Sequence, residues 1–148
     1  MNNLIQWNIA GFDSHDRIID TIYDKNKIKY VFGGIGSPLS GGRFHKKSFD
    51  EDYFRYRVSI LNYYGIGVRL TLQSLKIHDN FLQDINTNKA LSFLNYRNKN
   101  FGAKNGVIVA SDKLRDFIRD KYSNLYIISS IIRVANDTNF ISDDLNYY

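Results

Sequence analysis

The sequence predicts an α/β protein in which about five parallel strands alternate with helices. Four short β-branched runs are each followed by a loop marked by Gly, Ser or Asp and then by an amphipathic helix. These runs are residues 29–32, 68–72, 107–110 and 126–130, and a fifth run at residues 4–9 opens the series. Strands that alternate with helices of this length imply right-handed crossovers between parallel strands. Because parallel α/β folds bind ligands at the carboxyl ends of their strands, a site is expected in the loops that follow the strands.

The composition is that of a single globular domain over residues 1–148, a length sufficient for a hydrophobic core. Cysteine is absent, which excludes disulfides, Cys-ligated zinc and iron–sulfur clusters and leaves any other cofactor unknown. No apolar run approaches the ~20 residues that span a bilayer, and the first residues lack the pattern of a secretory signal. We therefore expect a cytoplasmic protein that does not bind membranes.

The net charge of +5 is compatible with a small anionic ligand. The basic residues are dispersed rather than clustered, which makes nucleic acid an unlikely partner without excluding it. The heavy use of Tyr, Phe, Asn, Ile and Lys is what an AT-rich genome tends to encode, which concerns origin rather than chemistry.

The first third of the chain holds one predicted helix and the longest irregular stretch. Asp13 or Ser14 is expected to cap a helix that follows the first strand. Its apolar positions recur with helical spacing: Ile18, Ile19, Ile22 and Tyr23. After the second strand, residues 33–47 form an irregular segment that contains two glycine-rich sequences.

The rest of the chain repeats the strand and helix order. Ser48 and Glu51 form the predicted capping box of the next helix, and Gly65 ends that helix. One face of the helix carries an apolar stripe: Phe54, Val58, Leu61 and Tyr64. The long connection after the third strand holds at least one more helix. Ser111 or Asp112 is expected to cap the helix after the fourth strand.

The number of strand and helix units predicts an incomplete TIM-like (β/α) barrel. A closed barrel of eight such units typically needs ~250 residues, whereas five units occupy all 148 residues of this chain. Uncovered edges of a parallel sheet are a liability. We therefore expect a homo-oligomer or a protein partner that covers them, or a place in a larger assembly.

Two stretches in the second half carry a recognisable order of glycines and strands. Residues 64–72 run from a helix end through glycines into a strand that contains a threonine. Residues 106–112 run from a glycine through a strand to a helix, which leads to the strand at residues 125–130. This order resembles the collagenase-like peptidase family, and the resemblance extends over roughly residues 28–137.

Upstream, residues 31–34 and 41–43 lie where proteins of that family carry a glycine-marked strand and loop. Relatives in the family are larger barrels, some classed with the peptidases and others acting in hydroxylation of RNA or quinones with iron–sulfur clusters. The resemblance therefore implies a partial barrel, reduced or divergent. Cluster chemistry is not carried over because this chain has no cysteine, and no peptidase nucleophile can be transferred.

The loop after the second strand is the sharpest local signal for a ligand site. Glycines permit close approach of the backbone to a ligand, and Arg43 can form a forked contact with phosphate or carboxylate. The glycines concerned are Gly33, Gly34, Gly41 and Gly42. The alternative is a long surface loop whose glycines only relieve steric conflicts.

All three histidines fall in predicted loops after strands: His15, His45 and His78. His45 and His78 are the candidates for catalytic proton carriers. No fixed spacing of ligands accompanies them, so no metal site is predicted. The alternative is that the histidines are solvated, since loops are where polar residues normally lie.

Arg69 and Thr71 alternate with apolar residues on the third strand. If Arg69 points inward it can bind an anion, and if it points outward it can pair with a helix carboxylate; the sequence leaves both open. A separate candidate surface is the predicted helix that carries Arg55, Arg57 and four tyrosines. It would bind bases or a protein surface, or simply expose phenol groups at its rim.

Two functions fit these observations. The first is a non-catalytic or catalytically reduced half-barrel that serves as an interaction or assembly subunit, for instance in a phage or another multi-protein particle. The alternative is a small-anion-binding, hydrolase-like enzyme. In that enzyme Arg43 and Arg69 would anchor the anion, and His45 or His78 would carry the proton.

Overall fold

The computed structural model describes residues 7–10, 25–40 and 49–132. The helix that Asp13 or Ser14 was expected to cap lies outside these segments. The strands are β1 (Trp7–Ala10), β2 (Ile28–Gly33), β3 (Gly67–Leu72), β4 (Gly106–Val109) and β5 (Tyr126–Ser129). The helices are α1 (Glu51–Tyr63), α2 (Asp79–Leu82), α3 (Ile85–Phe101) and α4 (Asp112–Lys121), with short 3₁₀ turns at Lys25–Lys27 and Pro38–Ser40. None of these helices has both the length and the apolar composition that crossing a bilayer requires.

The described strands form one sheet in the order β1-β2-β3-β4-β5, and every neighbouring pair is parallel. The predicted α/β class and the parallel strands are therefore confirmed. The sheet is open, with β1 and β5 at its two edges. Because each strand lies beside the next strand in the chain, right-handed crossovers all run in the same direction and place the helices on one face.

The hydrophobic core lies between that face and the helices. The strand residues of the core occupy matching register positions, such as Val31 opposite Val68 and Leu70 opposite Val107. These side chains are completely buried, as are the helix residues that pack on them: Val58, Leu61, Leu91, Leu94, Leu114 and Ile118. The alternation along each strand therefore decides which side chains reach the core and which point away from it.

A register irregularity at the start of β2 sets the direction of its first side chains. Trp7 pairs with Ile28, whereas Asn8 pairs with Tyr30, so Lys29 is an extra residue on this strand. Ile28 consequently belongs to the core, while Tyr30 is buried on the opposite side of the sheet and is not part of the core.

The second face of the sheet, which we call the open face, carries the side chains that alternate with the core residues. They are Tyr30, Phe32, Gly67, Arg69, Thr71, Gly106, Ile108, Tyr126 and Ile128. Within the described segments, the hydrophobic core includes none of them. Phe32, Ile108 and Ile128 are only half-buried. Parallel sheets are normally covered on both faces, whereas in the described segments the helices pack on the core face.

Asparagine side chains fasten the amino ends of β3 and β4 to each other. Asn105 is completely buried, and its Oδ1 accepts hydrogen bonds from the backbone N–H of Val68 and from Asn62 Nδ2, both at 2.9 Å. Its Nδ2 donates in return to Asn62 Oδ1 at 3.0 Å. Asn98 on α3 bonds the backbone of Asn105 twice: its Nδ2 donates to the Asn105 carbonyl oxygen, and its Oδ1 accepts from the Asn105 N–H. The segment that enters β4 is thus tied to both α1 and α3.

The start of α1 differs from the prediction. The N-cap is Asp50, whose carboxylate accepts a hydrogen bond from the Tyr53 N–H at 2.9 Å. The prediction that Ser48 and Glu51 form a capping box is therefore wrong. Ser48 lies outside the described segments, and Glu51 pairs with Arg55 on the next turn instead of reaching back to a cap. An aspartate caps a helix as well as a serine does, and Asp50 is the one that takes the N-cap position.

The predicted apolar stripe of α1 is confirmed except at its end. Phe54, Val58 and Leu61 are buried, whereas Tyr64 is 46% exposed because the helix ends at the residue before it. Gly65 has a φ of +74°, the left-handed conformation that was predicted from its place after the helix.

Candidate functional site

The predicted site residues divide into two groups. Four of them lie in the described segments: Gly33, Gly34, Arg69 and His78. The other four lie outside these segments: Gly41, Gly42, Arg43 and His45. Only the first group can therefore be located relative to the sheet.

The described part of the glycine-rich loop packs on the start of α3. Ser37 Oγ accepts a hydrogen bond from the Leu39 N–H at 3.0 Å and is hydrogen-bonded to Thr87 Oγ1. Since Thr87 Oγ1 donates to Asp84, the N-cap of α3, Ser37 is the donor to Thr87. Ser37 and Leu39 are almost completely buried. The contacts of this part of the loop are those of a packed turn, in which Gly36 supplies a φ of +67°.

His78 lies at the N-cap position of α2 and is exposed to solvent. Its ring meets the Phe81 ring nearly edge-on, with 5.3 Å between the centroids. The neighbouring Asp79 pairs with Lys113 at 2.6 Å, and this hydrogen bond and the lysine charge lower the pKa of Asp79. Within the described residues no hydrogen bond or ion pair joins His78 to Arg69, so these two predicted residues are not brought together.

Arg69 points to the open face, which is the inward orientation of the two that the sequence allowed. Its Nε donates a hydrogen bond to the Tyr126 hydroxyl at 2.8 Å. The guanidinium carbon lies 3.5 Å from the centroid of the Tyr30 ring and 5.5 Å from that of the Tyr126 ring. The two rings stand at a steep angle, with their centroids 5.9 Å apart. An arginine over aromatic faces gains cation–π attraction, so this arrangement holds the guanidinium in one place.

Two glycines make room for the two rings. A Cβ atom added at Gly67 would lie 2.7 to 2.8 Å from atoms of the Tyr30 ring, and one added at Gly106 would lie 2.8 Å from atoms of the Tyr126 ring. Both glycines open their strands, so the rings lie directly on the sheet at its amino end. We call Tyr30, Gly67, Arg69, Gly106 and Tyr126 the arginine cradle.

The arginine cradle shifts the two phenol pKa values in opposite directions. Burial raises the pKa of Tyr126, and the hydrogen bond from Arg69 offsets only part of that effect. Burial also acts to raise the pKa of Tyr30, but hydrogen bonds with Tyr126 and Arg69 and the nearby positive charges outweigh it, and the pKa is lowered. The cradle therefore favours negative charge on Tyr30 and disfavours it on Tyr126.

This difference predicts the order in which the two phenols ionise. As the pH rises, Tyr30 is expected to lose its proton first, and Tyr126 is expected to remain protonated past pH 10.0, the ordinary tyrosine pKa. Because the folded pKa of Tyr126 is raised, its contribution to the free energy of unfolding is full below pH 10.0 and declines above it. NMR of isotope-labelled tyrosine rings, assigned with Tyr30→Phe and Tyr126→Phe, measures this order. Ionisation of Tyr126 before Tyr30 would contradict the prediction.

Sequence reasoning missed Tyr30, Tyr126 and the two glycines beneath their rings. A signal for them does exist in the sequence. Gly67 and Gly106 are each the first residue of a strand, and Tyr30 and Tyr126 lie on the two strands that flank those strands. This signal becomes readable only when the strand order and register are known.

The carboxyl ends of β3 and β5 carry a smaller polar contact. Gln73 Nε2 lies 3.4 Å from Ser130 Oγ, and the Ser130 N–H donates to the Val109 carbonyl oxygen at 2.8 Å. Ser130 is almost completely buried. The arginine cradle, and not this rim, is therefore the most elaborate polar arrangement on the open face.

The described residues include no group of three or more His, Asp or Glu side chains that could hold a metal ion. Comparisons with models of protein families, with curated proteins and with solved structures found no match. The fold and the arginine cradle are consequently the basis for a functional proposal.

Proposed function

We propose that this chain is an interaction or assembly subunit whose open face is covered by a second copy of the same chain. In this proposal the molecule is a non-catalytic partial (β/α) barrel, similar in architecture to part of the larger barrels of the collagenase-like peptidase family. The observation that carries the proposal is the placement of the described helices on a single face of an all-parallel sheet.

The contrast between the two sides of the molecule supports this role. The helix side carries surface ion pairs such as Glu51 with Lys89 and Asp79 with Lys113. The open face instead presents the half-buried apolar side chains of Phe32, Ile108 and Ile128. Apolar side chains left partly exposed on one face of a sheet are available to contact a partner.

A second copy is the occupant that requires the fewest additional features. Two-fold dimers are the commonest oligomers, and in them the same patch of each subunit meets itself. The edge strands β1 and β5 are only four residues long, which is typical of edges protected against further pairing. The broad face is thus better suited than the edges to a stable contact.

Ile108→Gln is expected to weaken self-association of the chain at least about tenfold, because a buried isoleucine side chain contributes about 1.5–3 kcal/mol. Ile108 is half-buried on the open face and does not belong to the core, so the substitution should leave the fold of each subunit intact. Sedimentation equilibrium over a range of protein concentrations measures the dissociation constant, and circular dichroism checks the fold.

The matched control is Ile85→Gln, since Ile85 is 68% exposed at the start of α3 on the helix side. Its dissociation constant should equal that of the unmodified chain. A chain that sediments as a monomer at every concentration, or an equal effect of the two substitutions, would refute assembly through the open face.

Arg69 favours a second candidate function, the binding of a small anionic ligand. Its guanidinium is half-buried on the open face, and among the described residues it has no carboxylate partner. A hydrolase-like activity at this site would further require a proton carrier. Of the sequence candidates, His78 makes no described contact with Arg69, and His45 lies outside the described segments. Titration of the chain with small anions tests the binding step of this candidate.

A further inference from the structure

We propose that the Arg69 guanidinium binds a single oxyanion, the carboxylate or phosphate group of a ligand, on the open face beside Tyr30 and Tyr126. This inference deepens the second candidate function and does not require that the chain self-associate. It rests on the charge, the donors and the fixed geometry of the arginine cradle.

The charge of Arg69 is not balanced by an acidic side chain in the described part of the chain. Two other arginines there do have such partners: Arg55 lies 2.8 Å from Glu51, and Arg115 lies 2.6 Å from Asp112. Arg69 instead has two neutral phenols as its polar neighbours. A half-buried cation without a counterion attracts an anion more strongly than a fully solvated one, because water screens it less.

Among the described residues, Arg69 has more N–H donors than acceptors that it is seen to bond. A guanidinium carries five N–H groups in a planar fork that matches two oxygens of a carboxylate or a phosphate. The Nε–H is used by the Tyr126 hydroxyl, which leaves the pair of terminal nitrogens at the far end of the fork. The Tyr30 ring lies against the guanidinium, and the single oxygen of that phenol cannot satisfy four N–H groups.

The geometry of the cradle is fixed before any ligand arrives. The Tyr30 and Tyr126 rings are seated on Gly67 and Gly106 without space for a side chain beneath them. The guanidinium is stacked on one ring and hydrogen-bonded to the other. Binding an oxyanion therefore needs little loss of side-chain freedom, which is the main cost of binding through a flexible arginine.

The oxyanion has two possible sources. It is either a free small molecule that carries a carboxylate or phosphate, or the side-chain carboxylate of a second copy that covers the open face. Both place the same chemical group on the guanidinium, and they differ in whether an isolated subunit binds the free anion.

The test uses the full chain carrying Ile108→Gln. This substitution adds no charge, and it is expected to favour isolated subunits because it weakens self-association. Sodium phosphate and sodium acetate are added in turn, with sodium chloride adjusted to hold the ionic strength constant. NMR follows the Nε–H signal of Arg69, assigned from its absence in Arg69→Gln. A saturable shift with phosphate or acetate is expected if a free anion is the ligand.

In a fluorescence or calorimetric titration, Arg69→Gln should weaken that binding about tenfold or more, and Arg69→Lys should restore only part of it.

Arg97 provides the internal control. Its guanidinium is also stacked on an aromatic ring, 4.3 Å from the Phe101 centroid, and its Nε also contacts a side-chain oxygen, that of Asn62 at 3.4 Å. The Arg97 signal should not move when phosphate or acetate is added. Because both arginines are stacked cations, a difference between them isolates the effect of the cradle.

The second source is tested by self-association of otherwise unmodified chains. If the free anions have no effect, a dissociation constant about tenfold higher in Arg69→Gln than in Arg97→Gln assigns the oxyanion to the second copy. If the anions have no effect and the two variants associate equally, Arg69 is only a bridge between strands and the inference is wrong. A chain that never self-associates but still shows the saturable shift refutes the assembly proposal and leaves the oxyanion site standing.

Discussion

Replacing Asn105 by alanine is expected to lower the free energy of unfolding by about 3 kcal/mol. The amide group of this residue is completely buried and makes three hydrogen bonds, two with Asn62 and one with the backbone N–H of Val68. Its removal leaves a backbone donor at the start of β3 without an acceptor and breaks the reciprocal pair of amides. A buried polar group without a partner loses its interaction with water and gains nothing in return.

Urea unfolding measures this loss as a shift of the midpoint with an unchanged slope. The control is Asn100→Ala, which removes an exposed amide of α3 whose hydrogen bond to the Tyr96 carbonyl is local to the helix. That substitution should change the free energy of unfolding by less than about 0.5 kcal/mol. Similar losses for the two alanine variants would mean that the buried amide pair contributes nothing beyond an ordinary surface contact.

Gly67→Ala is expected to lower the free energy of unfolding by about 3 kcal/mol, the upper end of the usual range for overpacking. The new methyl group would collide with the backbone carbonyl oxygen of Lys104 and with the ring of Tyr30. The ring can shift, but the carbonyl belongs to the segment held by Asn98 and Asn105 and cannot move without disturbing it. The arginine cradle would be distorted at the same time.

Gly65→Ala separates this steric effect from the conformational one. Gly65 has open space around it but a φ of +74°, so alanine there is expected to cost about 1–2 kcal/mol from backbone strain alone. Thermal or urea unfolding of both variants gives the comparison. If Gly67→Ala is the less damaging of the two, Tyr30 and Lys104 do not approach the strand closely enough to exclude a methyl group.

The strands were predictable because their signals are local. The predicted runs at residues 68–72 and 126–130 match β3 (Gly67–Leu72) and β5 (Tyr126–Ser129) to within one residue at each end. In each run one set of alternating side chains lies in or against the core, as Val68 and Ile127 do, and the other set lies on the open face. Local helix signals were less decisive, because Ser48 and Asp50 are both of a type that caps helices and the structure uses Asp50.

The arginine cradle and the asparagine contacts were not predictable because their partners are distant in the sequence. Arg69 meets Tyr126 across 57 positions, and Asn62 meets Asn105 across 43. The sequence predicted Arg69 as a candidate anion anchor but left the direction of its side chain open, since that direction depends on which face the helices cover. His78 does not lie with Arg69 as the sequence predicted. The Arg69 side chain reaches toward the amino ends of the strands, whereas His78 follows the carboxyl end of β3.

The order of the strands also bears on how the chain folds. As each strand leaves the ribosome, its neighbour in the sheet is already the strand made just before it. Pairings that follow the order of synthesis close only the connection between consecutive strands, which keeps contact order low for a parallel sheet and speeds folding. We therefore expect this sheet to grow by addition at one edge during translation, without waiting for a distant strand.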